Sequence, residues 1–118
     1  MTDALLVVAH GSRRPDAHAH LEELVSELRG AARDLRIELA HLEISEPDIP
    51  TAIDRLVAEG VQRIAVHPLF LAPGNHLTSD IPAALKAARE RHPEIELRQL
   101  ASIGEHPELA ALILSTLR

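Results

Sequence analysis

Three side chains far apart in the chain are of types that bind a divalent metal ion: His10, Glu43 and His76. Each follows an apolar, strand-like segment. ALLVVA (4–9) runs directly into His10, residues 36–42 run into Glu43, and residues 63–71 lie shortly before His76. Two neutral imidazoles and one carboxylate, with coordination positions left open, suit Fe2+, Co2+, Ni2+ or Zn2+. A set of three ligands or fewer lets a metal enter and leave, whereas a closed four-ligand cage would keep it. The same groups can also take up protons. The plainer alternative is that the two histidines cap loops and Glu43 is a solvated strand end.

The residues around them fit a ligand-binding edge. Gly11 permits close backbone approach, and Pro73-Gly74 forms a turn that presents Asn75 and His76. Ser12, Arg13 and Arg14 stand just ahead of a helical pattern, where backbone N–H groups and guanidinium groups together could bind an anion. Ordinary surface charge is the other reading of the two arginines. The remaining six histidines (His18, His20, His41, His67, His92 and His106) read as structural or surface residues, His41 and His67 being the ones closest to the sheet.

The elements that must position these residues alternate regularly. Apolar strands are expected at 4–9, 36–43, 63–71 and 94–100. Leu21, Leu24, Val25 and Leu28 recur at helical spacing, as do Ile49, Ile53, Leu56 and Val57. Asp48 caps the second helix, with Pro50 in its first turn and Gly60 just past its end. Thr78, Ser79 or Asp80 caps the third, which turns Ile81, Ala84, Leu85 and Ala88 inward. His106-Pro107 opens a fourth helix, with Leu109, Leu112, Ile113 and Leu117 expected to face the core. The order β-α-β-α-β-α-β-α predicts an α/β fold: an open parallel four-stranded sheet, flavodoxin-like, in the order 2-1-3-4, with helices on both faces. His41, a polar residue within the second strand, suggests that this strand lies at an edge. In such a sheet ligands bind beyond the carboxyl ends of the strands, where His10, Glu43 and His76 converge.

Composition narrows the function. The 118 residues read as one domain, 1–118. Without Cys there is no disulfide, thiolate metal site or iron–sulfur cluster. Twelve Lys and Arg against 18 Asp and Glu, a formal charge of −6, with one aromatic residue, argue against nucleic-acid binding. No apolar run approaches the ~18 residues of a membrane span. The start, MTDALLVVAHGS, has no basic region or cleavage site of a signal peptide, so a cytoplasmic protein is expected.

The segments AHGSRR, LEISEPDIPTAI and HPLFLAPGNHLTSDIP, after the first three strands, resemble the short sirohydrochlorin chelatases, class II tetrapyrrole chelatases acting in cobalamin and sirohaem synthesis. The similarity runs from about residue 4 to residue 103. It implies a chelatase half-domain in which His10, Glu43 and His76 are both metal-binding and catalytic, with Ser12, Arg13, Arg14 and Asn75 toward the substrate. It also implies insertion of Co2+ or Fe2+, possible for Ni2+ as well, into sirohydrochlorin, with the metal as substrate and no tightly bound cofactor. The short form is expected to pair as a homodimer, with Leu69, Phe70, Leu71 and Leu77 as a contact unless Phe70 is simply core. Two rival readings compete with this one. A histidine phosphatase wants an Arg just ahead of its nucleophilic His, and Ala9 stands there. A metallochaperone would use the same His pair without turnover.

Overall fold

The protein is described by a computed structural model at residues 2–72, 74 and 79–118. The strands are β1 (Ala4–Ala9), β2 (Arg36–His41), β3 (Arg63–Pro68) and β4 (Glu96–Gln99); the helices are α1 (Pro15–Ala31), α2 (Ile49–Ala58), α3 (Ile81–Arg91) and α4 (Leu109–Ser115). All pairings are parallel and the order is β2-β1-β3-β4, as expected. β2 is an edge strand, and its polar His41 is nevertheless buried, beneath α1.

Alternation along β1 divides the core. Ala4, Leu6 and Val8 face α2 and α3, packing with Ile53, Leu56, Ile81 and Leu85. Val7 and Ala9 face α1, packing with Val25, Ile37 and Leu39. The fully buried Leu and Ile side chains contribute about 1.5–3 kcal/mol each by leaving water, and they fix which ends of the strands come together. Asp48 caps α2 through a bond from Thr51 N at 2.9 Å, and Gly60 takes a φ of 92° just beyond it. Asp80 stands at the start of α3 without capping it through its side chain.

The last helix departs from expectation. Of the residues expected to face inward, Leu109 is partly buried, but Leu112, Ile113 and Leu117 are 59–83% exposed, as is Leu114. Pro107 and the 3-10 turn Ile103–Glu105 lead the chain off the sheet, and α4 has that turn as its neighbouring element. Its sequence LAALILS is apolar all round, so spacing alone could not say what covers it. The molecule is correspondingly elongated, 47 × 32 × 30 Å, with a radius of gyration of 14.5 Å. A compact chain of this size would have ~13 Å.

Candidate functional site

The β1–β2 ladder continues past the last regular strand residues. Leu42 N donates to the Ala9 carbonyl at 3.0 Å, and Glu43 N donates to the His10 carbonyl at 3.1 Å. This pairing brings two residues 33 positions apart side by side at the carboxyl edge of the sheet. Their side chains meet there, His10 Nε2 to Glu43 Oε1 at 3.1 Å, each about half exposed. A proton on Nε2 joins the two groups, and a cation that takes its place gains an imidazole lone pair and a carboxylate oxygen together.

Tight backbone turns hold that edge in shape. Gly11 has a φ of 114°, and a Cβ there would lie 1.8 Å from the Glu43 carbonyl oxygen. On the other strand, Ile44 has a φ of 70° and Ser45 N donates to the Glu43 carbonyl at 2.7 Å. That is a γ-turn of the strained hand, centred on a β-branched residue. The Glu46–Pro47 peptide that follows is cis. Ser45 ties the two turns together. Its hydroxyl accepts from Ser12 N at 3.0 Å and donates to the Ser12 carbonyl at 2.9 Å. His18, from α1, joins the same cluster with Nε2 at 2.7 Å from the Ser12 carbonyl and 3.1 Å from Ser45 Oγ.

Behind this cluster lies His41, 2% exposed, its Nδ1 donating to the Pro47 carbonyl at 3.2 Å. Its ring meets that of His18 edge-on, with centroids 5.7 Å apart. The His41 Nε2 atom is buried with no hydrogen-bond partner among the described residues. On the α2 and α3 side, a hollow of about 330 Å³ opens beside Glu43, with Asp48 and Asp80 in its lining. The hydrogen bonds from Thr51 hold the Asp48 carboxyl below its ordinary value.

The expected anion-binding residues have local partners. Ser12 Oγ accepts from Arg14 N at 3.0 Å. The Arg14 guanidinium forms a two-pronged pair with Asp16 at 3.1 and 2.8 Å, and that pair lowers the Asp16 carboxyl. Arg13 is exposed. His76, Asn75, Leu77, Thr78 and Pro73 lie outside the described residues. Among the described residues, no three metal-capable groups gather. Of the expected set, then, the structure brings together His10 and Glu43. Leu69 and Phe70 pack against the core clusters, while Leu71 is exposed.

Nothing in the sequence singles out Ile44 or Ser45 and little singles out Gly104, and His18 reads there as a structural or surface residue. A Cβ on Gly104 would lie 1.7 Å from the Leu71 carbonyl oxygen, so this glycine seats the backbone that leads from β3 toward His76. An isolated glycine between a strand and a helix was its one signal. Ser45 and His18 carried none, because their partners come from segments distant in sequence.

The CbiX family model matches residues 4–118. The chain is 36% identical over 104 residues to a chloroplastic sirohydrochlorin ferrochelatase of Arabidopsis thaliana, covering 88% of this chain and 46% of that protein. It is 38% identical over 90 residues to a sirohydrochlorin cobaltochelatase of Methanocaldococcus jannaschii, covering 76% of this chain and 63% of that one. A crystal structure of a CbiX protein from Marinobacter aquaeolei superposes with a TM-score of 0.83 at 30% identity, covering 97% of this chain and 92% of the other. The sirohydrochlorin chelatase SirB from Bacillus subtilis subspecies spizizenii, in complex with cobalt, superposes with a TM-score of 0.88 at 30% identity. That match covers 99% of this chain and 50% of SirB. The chain thus spans about half the length of several relatives it matches.

Proposed function

The chain belongs to the CbiX family, and from that premise we propose that it inserts a divalent metal ion, Co2+, Fe2+ or Ni2+, into sirohydrochlorin. The observation that carries this reading is the His10–Glu43 pair at 3.1 Å on the carboxyl edge of the sheet. In the reaction M2+ forms bonds to the macrocycle nitrogens as two pyrrole N–H protons leave, and no electron is transferred. The site therefore needs a loose metal ligand and a nearby proton acceptor. An imidazole can fill either role, and the Glu43 carboxylate can accept a proton or balance charge. In this proposal His76 joins them as the third member of the set. Ser12, Arg13, Arg14 and Asn75 face the carboxylate-rich rim of the substrate; Arg14 would exchange Asp16 for a substrate carboxylate.

The chain further acts as a homodimer in the cytoplasm, with no tightly bound cofactor and the metal as substrate. A hollow of about 330 Å³ is at the small end of ligand pockets, and a tetrapyrrole needs a second wall. The exposed apolar residues of α4 offer a second copy a contact surface. Among the described residues no helix is long and apolar enough to cross a membrane.

The test is an anaerobic absorbance assay with sirohydrochlorin and Co2+, Fe2+ and Ni2+ in parallel. Conversion of the free-base spectrum to that of the metal complex, faster than without protein, is expected. Metal binding with an unchanged free-base spectrum would overturn the reading.

A further inference from the structure

Two loops carry the His10–Glu43 pair, and no covalent constraint fixes one against the other. The loop after β1 turns at Gly11, and the loop after β2 turns at Ile44. Ile44 is costly in that conformation, because a β-branched residue at a φ of 70° crowds its own backbone. The Glu43 N–His10 carbonyl bond holds the backbone ahead of the turn, but not the turn at Ile44 itself. Some interaction must hold it.

Besides the His10–Glu43 contact itself, the Ser45 side chain joins the two loops. Its hydroxyl both accepts from and donates to the Ser12 backbone, at 3.0 and 2.9 Å. His18 Nε2 then closes on Ser45 Oγ and on the Ser12 carbonyl from the side of α1, at 3.1 and 2.7 Å. A carbonyl only accepts, so Nε2 carries the hydrogen. The cluster is partly buried, where such bonds are stronger than in water. It links helix, first loop and strained turn.

We propose that Ser45, clamped between Ser12 and His18, is a positioning residue of the metal-insertion site, holding the strained turn at Ile44 so that Glu43 faces His10. The proposal rests on the insertion reading for its catalytic consequence, but its geometric content is independent of turnover. Neither Ser45 nor His18 is a metal ligand in this proposal. They act through the separation and orientation of His10 and Glu43, and loss of such outer support typically costs roughly 10–100-fold in metal affinity or activity.

The experiment compares the wild-type chain with Ser45→Ala, Ser45→Thr, His18→Ala and His18→Gln. Three quantities are measured: the melting temperature, Co2+ affinity by calorimetry without tetrapyrrole, and kcat and KM for Co2+ insertion into sirohydrochlorin. Ser45→Ala should remain folded yet bind Co2+ roughly 10–100-fold more weakly, with KM for Co2+ rising. Ser45→Thr, which keeps the hydroxyl, should recover wild-type affinity. His18→Ala should weaken binding in the same direction, and His18→Gln, which keeps an N–H donor, should restore it. A folded Ser45→Ala with wild-type Co2+ affinity overturns the proposal, as does a drop in melting temperature with the affinity of the folded protein unchanged. Should Ser45→Ala fail to fold, wild-type Co2+ affinity in His18→Ala overturns it instead. A wild-type chain that binds Co2+ but inserts none sinks the insertion reading alone, because the affinity series still decides the positioning role. A wild-type chain that binds no Co2+ sinks both.

Discussion

The Glu43 carbonyl oxygen occupies the place where a side chain on Gly11 would go, 1.8 Å from an ideal Cβ at that position. The residue after His10 and the backbone of Glu43 are therefore in direct contact, and the spacing of the site depends on a missing methyl group. Gly11 also has a φ of 114°, which other residues resist. Two independent costs thus fall on the same substitution.

Gly11→Ala should consequently separate the two loops and lose metal insertion almost completely, while the buried core below is retained. Circular dichroism and an insertion assay on the same preparation check this. Near wild-type turnover in a folded Gly11→Ala would show that the loops have room to move without harm.

His10→Ala removes an imidazole from an exposed edge, so the fold should survive and insertion should fall by at least ~100-fold, the scale on which general acid–base groups contribute. Glu43→Gln keeps the shape and removes the charge. If Glu43 accepts a proton, turnover in Glu43→Gln should fall further than Co2+ affinity does. Equal losses in both would make Glu43 a ligand only.

The fold was legible because each element has one strong periodic signal and parallel βαβ units permit few arrangements. Ala4 to Ala9 is apolar throughout, and both faces of β1 are indeed covered. The His10–Glu43 contact followed from the topology, since both residues end neighbouring strands. Other features were not legible, for separate physical reasons. Ser45 meets Ser12 and His18 through loop geometry, which no spacing encodes. A φ of 70° at Ile44 runs against local preference and is invisible to propensity. For α4, periodicity identified apolar residues but not the surface they meet, and exposure within one chain was the outcome.

Stability should fall on mild acidification through His67. Burial, and then the nearby His106, disfavour its charged form, so its folded pKa lies below its ordinary value. The unfolded chain then binds that proton more readily than the folded one. The contribution is complete above the unfolded value of about 6.5 and is lost as pH falls through the lowered folded value. Asp3 and Asp54 are also lowered, by Arg63 and Gln62 at Asp3 and by His92 and Arg91 at Asp54. Their contributions fade only below about pH 4, well clear of this window. Melting temperatures between about pH 7.5 and 5.5 should decline in the wild-type chain and decline less in His67→Gln. Identical slopes would remove His67 from the account.

The exposed face of α4 makes the assembly testable without disturbing the site. Leu112, Ile113, Leu114 and Leu117 are at least 59% exposed, so changing one costs little core packing within the chain. Surface substitutions of that kind usually stay within about 0.5 kcal/mol. In a dimer, the same residues leave water and a charge among them is expensive. Sedimentation at micromolar concentration should therefore show a species of twice 12.9 kDa for the wild-type chain. Ile113→Glu should shift it to the monomer without lowering the melting temperature of the monomer fold. Insertion should fall with dissociation, because one chain offers a tetrapyrrole only part of its enclosure. A wild-type monomer that inserts metal at full rate would refute the need for a second copy as the other wall and leave the His10–Glu43 site in place.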